Sequence, residues 1–294
     1  MAIEGQVREA SDSQDQSKKV GVFEGKVVVI NPTMQEFKDI LGIELSENSK
    51  GAEYLGERDN NTTLRLSVWL QNVKTEQFFN VNFFLEDKER ENKDKTKYQY
   101  INQIGMTSWA ASEDELANWF KGSGSNQRDY RIAYVGEEEL YDFMRNWLSK
   151  INFSADGADF TLNWKKLMKG NVSEISEQID GLYETTVVAI ATVVTKEKEG
   201  EVKEFQGIYN KAFLPGKMMK HFRLSSVDYN DRTVVENISR KKSKDLRPHE
   251  RFIVKISGEY GCKDYYTFQE LEEYNPDMNL VASEKVIAED DSDY

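Results

Sequence analysis

The sequence predicts a mainly β protein of the α+β class with a few short helices. Apolar and polar residues alternate at 64–71 and at 79–86, which is the period of a half-buried strand. The run TTVVAIATVVT at 185–195 is rich in β-branched residues, which favour strands. Each half of the chain combines several short strands with one or two helices, and this arrangement predicts β-barrel-like modules.

The first half of the chain predicts a strand that leads into a short helix, followed by further strands. The helix opens at Pro32 and Thr33, and apolar residues from Met34 to Leu41 lie on one face. A polar run at 86–97 predicts a long exposed hairpin loop. A second helix follows Gly136, with apolar residues at helical spacing up to Ile151. The strands are predicted at 21–31, 64–71, 79–86, 98–102 and 130–135.

The second half predicts one short helix at 172–179 and a further set of strands. These strands are predicted at 160–164, 185–195, 204–213, 251–257 and 265–268. A turn-rich segment at 152–159 predicts a boundary near residue 155. The predicted organisation is an N-terminal disordered arm, a first β-rich module, a second OB-like module with a basic stretch, and an acidic C-terminal tail, at 1–19, 20–154, 155–269 and 270–294 respectively.

Cysteine and histidine counts exclude some kinds of site. The single cysteine, Cys262, excludes an intrachain disulfide, and one cysteine with two histidines cannot build the usual zinc knuckle or finger. No apolar run reaches the length of a membrane helix, and the first residues lack the apolar core of a signal peptide. These counts rule out Cys/His metal sites, although not carboxylate ones. We expect a soluble, cytoplasmic protein, and we assign it no metal or cofactor.

Charge is distributed unevenly along the chain, whose net charge is −13. Residues 270–294 carry nine acids against one lysine, whereas residues 217–255 carry eleven lysines and arginines against five acids. Binding to phosphates depends on lysine and arginine, so the overall acidity argues against a nucleic-acid partner but the basic stretch argues for one. The alternative is that this stretch is simply a solvated loop.

Aromatic residues beside basic ones predict a surface for single-stranded nucleic acid. Bases stack on aromatic rings along a basic groove, and OB-type barrels carry such rings on their strands. Trp69 lies on the polar side of its strand, and Tyr98 and Tyr100 share one face of theirs; for all three rings, stacking on a base and burial in the core are both open. The candidate binding residues in the first half are Trp69, Lys95, Lys97, Tyr98 and Tyr100. Those in the second half are Lys203, Phe205, Tyr209, Lys211, Lys217, Lys220, Arg223, Arg240, Lys241, Lys242, Lys244, Arg247 and Arg251.

Six segments resemble the single-stranded DNA-binding proteins of tailed bacteriophages. They are NPTMQEFKDILG (31–42), SVWL (67–70), FFLE (83–86), YQYINQIGMTSW (98–109), YVGEEELYDFMRNWL (134–148) and FQGIYNKAFLPG (205–216). The resemblance implies an OB fold that coats single strands without sequence preference in phage DNA replication, recombination and repair, in the host cytoplasm. It also implies an acidic tail that regulates DNA binding and recruits polymerase, helicase or primase. The tail residues concerned are Glu289, Asp290, Asp291, Asp293 and Tyr294.

The chain departs from one branch of that family, because it lacks the ligands of that branch's Cys/His zinc site. No Gly-rich phosphate loop, G-x-S-x-G elbow or H-E-x-x-H helix is present, so we expect no catalysed reaction. Two other functions stay open. The first alternative is a phage structural or replisome-scaffold protein that binds only protein. The second is a carboxylate-dependent two-metal nuclease.

Overall fold

A computed structural model describes ten stretches of the chain, which divides into two compact units. The stretches are 17–30, 32–42, 63–102, 106–119, 130–147, 186–198, 201–209, 212–223, 225–257 and 264–276. The first unit comprises 1–26, 70–81 and 186–294, and the second comprises 27–69 and 82–185. Both units are therefore assembled from segments that are distant in sequence.

Twelve strands and six α-helices are described. The strands are β1 (Lys19–Ile30), β2 (Thr63–Asn72), β3 (Phe78–Glu89), β4 (Tyr98–Asn102), β5 (Thr107–Ala110), β6 (Tyr130–Ile132), β7 (Tyr134–Val135), β8 (Thr186–Lys198), β9 (Glu201–Ile208), β10 (Leu214–Pro215), β11 (Asp264–Tyr265) and β12 (Glu272–Glu273). The helices are α1 (Met34–Asp39), α2 (Glu113–Trp119), α3 (Glu137–Trp147), α4 (Met219–Arg223), α5 (Arg232–Ser239) and α6 (Pro248–Ser257). Two 3₁₀ turns lie at Gly216–Met218 and Ser243–Asp245.

The strands form a nine-stranded sheet and a three-stranded sheet. The larger sheet has the order β10-β8-β1-β2-β3-β7, with β9 and β11 also paired to β8 and β12 paired to β1. The smaller sheet has the order β5-β4-β6. Across the described stretches these ladders do not close into a barrel. The predicted α+β class with a predominance of strands is confirmed at this level.

In the first unit the helices α4, α5 and α6 pack beside the strands β8 and β1. One apolar cluster joins Val22 and Ile190 of the strands to Phe222, Ile238 and Phe252 of the three helices, and all five residues are buried. Burial of such side chains stabilises a fold by about 1.5–3 kcal/mol each. The helices therefore have a fixed base from which they can present charged residues.

In the second unit the carboxylates at the start of α3 hold the three-stranded sheet. Glu138 accepts hydrogen bonds from Gln99 Nε2 at 2.6 Å and from Thr107 Oγ1 at 3.1 Å. Glu137 is fully buried and accepts hydrogen bonds from the Arg131 guanidinium and, at 2.9 Å, from the Tyr134 amide. Acidic side chains are favourable at a helix N-terminus, so the negative charges of these carboxylates also stabilise the first turn of α3.

Most of the predicted elements are present, with shifted ends. The strands predicted at 21–31, 64–71, 79–86, 98–102 and 185–195 and the helix that follows Gly136 are confirmed. The strand predicted at 130–135 is split at Ala133 into β6 and β7. The first helix, α1, begins with a capping box in which Thr33 Oγ1 accepts from the Glu36 amide at 3.2 Å and Glu36 accepts from the Thr33 amide at 2.7 Å.

Two predictions of local structure are wrong. Residues 251–257 lie in helix α6 and not in a strand, because Phe252, Ile253 and Ile256 form one buried face at helical spacing behind Pro248 at the first helical position. The polar run at 86–97 is not one long loop. Strand β3 continues to Glu89, and Asn92 Oδ1 then holds a tight turn by accepting the amides of Thr96 and Lys97.

Several predictions lie outside the described residues. They concern the strand at 160–164, the helix at 172–179, the boundary near residue 155, the N-terminal arm up to residue 16 and the tail from residue 277 onward.

Candidate nucleic-acid interface

Two predicted stacking residues, Trp69 and Tyr100, are buried, and their assignment to a binding surface is corrected. Trp69 is 1% exposed, and its ring meets Phe37 of α1 edge-on at 5.7 Å between centroids. Helix α1 thus covers the face of β2 that the alternating pattern marked as polar. Tyr100 is 2% exposed and packs with Ala110 and with Leu116 of α2. Burial also raises the pKa of the Tyr100 hydroxyl. Neither ring is available to a base.

The other candidates of the second unit lie close together at the turn before β4. Lys95 is exposed in a left-handed backbone conformation, with φ of 53°. Lys97 Nζ lies 3.8 Å from a carboxylate oxygen of Glu115 in α2. Tyr98 is half-buried against the cluster around Tyr100. Of these two lysines, only Lys97 has an acidic partner among the described residues.

The hairpin formed by β8 and β9 carries three candidates on one face. The Tyr209 amide donates to the Ile190 carbonyl at 2.9 Å, and the ladder then pairs Phe205 with Val194. Because side chains alternate between faces of a strand, Lys203, Phe205 and Tyr209 lie on the same side. Phe205 and Tyr209 are half-buried, and the Tyr209 ring lies 5.9 Å from that of Tyr266.

The register of this hairpin also shows a residue that the sequence pattern did not reveal. Lys196 lies directly opposite Lys203 in the ladder. Lys203 Nζ lies 3.7 Å from a carboxylate oxygen of Glu201, so this lysine has an acidic partner within the hairpin. Only the strand register reveals the pair, because the two lysines are seven positions apart.

The largest group of candidates lies in the basic loop, which we define as residues 240–251 between the end of α5 and the second turn of α6. It carries six lysines and arginines against two acids. Arg240 lies 4.0 Å from Glu236. Lys242, Lys244 and Arg251 are exposed, and within the described residues no ion pair involves them. The loop therefore offers several cations to an anionic partner.

The basic loop is held from inside by Glu250, which is only 2% exposed. One carboxylate oxygen accepts from Lys241 Nζ at 2.8 Å and from Arg247 Nη2 at 3.0 Å. The other accepts from the Arg247 amide at 2.8 Å. The bond from the Arg247 side chain, together with that from Lys241, lowers the pKa of Glu250 to about 2. From sequence, Glu250 counted only as an acid that reduced the positive charge.

A stack of histidines joins α4 to the start of α6. The rings of His221 and His249 are 5.1 Å apart and 4° from parallel. The Tyr229 hydroxyl is 3.1 Å from Nε2 of the buried His249 and accepts a hydrogen bond from Ser225 Oγ at 3.2 Å. Burial lowers the pKa of His249, and the nearby Arg247 lowers it further.

The segment that leads into α4 adds two further exposed lysines to this side of the first unit. Lys217 lies in the 3₁₀ turn, and Lys220 lies in α4 beside His221. Neither takes part in an ion pair among the residues that the structure describes. The histidine stack thus brings the segment with these lysines next to the helix that ends the basic loop.

The side chain of Arg223 is paired with two acidic side chains. Its Nε donates to Glu270 at 3.0 Å, and its Nη1 lies 3.8 Å from Glu24. The hydrogen bond from the Arg223 side chain holds the pKa of Glu270 below its usual value. Burial acts in the opposite direction, and the charge of Lys74 lowers the pKa further. Glu270 bridges to Val22, and β12 pairs with Lys19 and Val20, so the first acidic residues of the C-terminal segment lie against β1.

The remaining candidates, Lys211 and the tail residues Glu289, Asp290, Asp291, Asp293 and Tyr294, lie outside the described residues. Within the described stretches, no three His, Cys, Asp or Glu side chains are grouped as a metal site would require. No described helix has the length and apolar character needed to cross a membrane. Comparison with models of protein families, with curated proteins and with solved structures found no match.

Proposed function

We propose that this protein binds single-stranded DNA without sequence preference, through its first unit. The observation that carries the proposal is the basic loop, in which two cations, Lys241 and Arg247, bond to the buried carboxylate of Glu250 and so fix the shape of the loop. Phosphate contacts from lysine and arginine supply affinity that does not depend on sequence. A loop with a fixed shape loses little conformational entropy when it binds.

The hairpin supports a role in binding single strands rather than duplexes. Phe205 of β9 and Tyr209, which directly follows β9, lie on one face of the hairpin, and the lysine pair at 196 and 203 lies nearer its tip. Stacking of a base on an aromatic side chain contributes about 1–3 kcal/mol and requires an unpaired base. Rings followed by cations along one strand match the chemistry of an extended polynucleotide.

The finer parts of the proposal rest on the resemblance to the phage proteins. They are an OB-like character of the module, a role in phage DNA replication, recombination and repair in the host cytoplasm, and an acidic tail that regulates binding and recruits replication proteins. The acidic segment at 270–273 supports an electrostatic role for the tail, because Glu270 is paired with Arg223 and Lys74.

Fluorescence anisotropy of an end-labelled oligo-dT, titrated with the full chain, tests this function. All five tryptophans belong to the second unit, so intrinsic tryptophan emission does not report directly on the first unit. We expect binding at low salt, with the logarithm of the affinity falling linearly with the logarithm of the salt concentration. An affinity that does not change with salt contradicts the proposal.

Two further arms separate the alternative functions. A protein that binds only protein leaves the anisotropy of the oligonucleotide unchanged at every salt concentration. A two-metal nuclease shortens the oligonucleotide when magnesium is added, which gel electrophoresis detects. We expect binding without cleavage both with and without magnesium.

A further inference from the structure

The carboxylate of Glu250 connects the two ends of the basic loop. Lys241 lies at the start of the loop and Arg247 near its end, and both donate to the same carboxylate oxygen of Glu250. The Arg247 amide donates to the other oxygen, so the backbone as well as the side chains is held. A buried charge requires such partners, because desolvation without them costs several kcal/mol.

These bonds divide the cations of the loop into two groups. Lys241 and Arg247 are directed to Glu250, whose single negative charge offsets part of their two positive charges. The cations outside this cluster are Arg240, Lys242, Lys244 and Arg251. The 3₁₀ turn, in which the Asp245 amide donates to the Lys242 carbonyl at 2.8 Å, fixes the backbone between the two ends.

We propose that Glu250 is a positioning residue for DNA binding: it holds the basic loop in a shape in which the four outer cations contact phosphates. The inference rests on the proposed function. It predicts that an acidic side chain strengthens the binding of an anion, whereas electrostatics alone predicts that removing any acid from the loop strengthens binding.

Glu250→Gln and Asp245→Asn form a matched pair that separates these two effects. Each replacement removes one negative charge from the same loop and nearly preserves the size of the side chain. Asp245 is exposed, and its side chain takes part in no bond among the described residues. Positioning by Glu250 predicts that E250Q binds oligo-dT about three- to tenfold more weakly than the wild type, with a smaller salt slope. The same reasoning predicts that D245N binds equally well or more tightly.

Hydrogen exchange provides a readout that a general loss of folding would not reproduce. In E250Q the amides of 240–247 should exchange faster, while those of β8 keep the wild-type rate. Faster exchange in β8 would mean that E250Q unfolds the unit. The triple variant Lys241→Met, Arg247→Met and Glu250→Met, which replaces the whole cluster and leaves no buried charge unpaired, would then take its place in the binding assay. The triple variant lowers the net charge by one, as Lys217→Met does, and positioning predicts that it loses more affinity than Lys217→Met.

The possible outcomes separate the inference from the function on which it rests. If the wild type binds and E250Q binds as tightly as D245N, the positioning role is overturned while DNA binding stands. If the wild type does not bind oligo-dT at any salt concentration, the proposed function and the positioning role are both overturned.

Discussion

The rings of His221 and His249 stack in parallel, 5.1 Å apart, and join the helix α4 to the first turn of α6. His249 is buried, and its Nε2 is 3.1 Å from the Tyr229 hydroxyl. Burial and the positive charges of Arg247 and Lys241 disfavour its protonated form, and Glu250 only partly offsets them. The cations of the basic loop therefore lie near a neutral histidine.

We predict that the neutral state of His249 makes the stability of the first unit depend on pH. The pKa of His249 is lower in the folded than in the unfolded chain, where it is about 6.5. Below about pH 6.5, His249 therefore binds a proton in the unfolded chain but not in the folded chain, and the stability falls as the pH falls. The free energy of unfolding, measured by urea titration at pH 7.5 and 5.5, should decrease more for the wild type than for His249→Gln. An equal decrease in the two proteins would contradict this.

A second prediction concerns the outer lysines of the basic loop. Lys242→Ala with Lys244→Ala should weaken oligo-dT binding and reduce the salt slope by about 1.4, because on a single strand each lysine that contacts a phosphate contributes about 0.7. The control is Lys26→Ala, which removes an exposed lysine from β1. Anisotropy titrations between low and moderate salt measure both slopes. Equal slopes in the double variant and the control would exclude phosphate contact at these lysines.

The third prediction compares an accessible with an inaccessible aromatic residue. Phe205→Ala should weaken binding by about 1–3 kcal/mol, the contribution of one stacked base. Trp69→Phe should leave the affinity unchanged, because Trp69 is buried against Phe37 and cannot reach a base. The same anisotropy titration measures both. A loss of affinity in the folded Trp69→Phe variant would show that the second unit takes part in binding.

The fourth prediction concerns Gly136, at the turn before α3. Its φ is +87°, and a Cβ atom there would overlap the carbonyl oxygen of Phe84. Gly136→Ala should lower the melting temperature of the second unit, followed by tryptophan fluorescence, by at least several degrees. Gly42→Ala is the control, since its φ is also positive but its Cβ would meet no atom within 4 Å. The control should therefore cause the smaller loss.

The fifth prediction concerns the acidic tail. Deletion of residues 283–294 removes five acids and one lysine. If the tail competes with DNA for the cations of the first unit, the deletion tightens oligo-dT binding at low salt, and the difference disappears as salt screens the charges. Weaker binding after the deletion would show that the tail does not compete with DNA.

The elements that the sequence predicted correctly depend on interactions between near neighbours. The alternation of Phe79, Val81, Phe83 and Leu85 with a mainly polar row places one row of side chains in the core whatever the partner strand is. The stripe from Leu140 to Trp147 requires a helix. Residues 251–257 were predicted wrongly, because a short apolar run fits either period until its surroundings are known. The helix is stabilised there by packing of Phe252 and Ile256 in the core of the first unit.

The candidate site shows the same division. The amino-acid sequence alone determined that positive charge is concentrated at 217–255 and negative charge at the C-terminal end, because composition does not depend on folding. Only the tertiary structure decided that Trp69 and Tyr100 are covered, that Lys196 lies opposite Lys203 and that Glu250 holds the basic loop. Each of these features depends on segments that come together only when the chain folds, because the exposure of a side chain and its charge partners are set by the residues that pack around it.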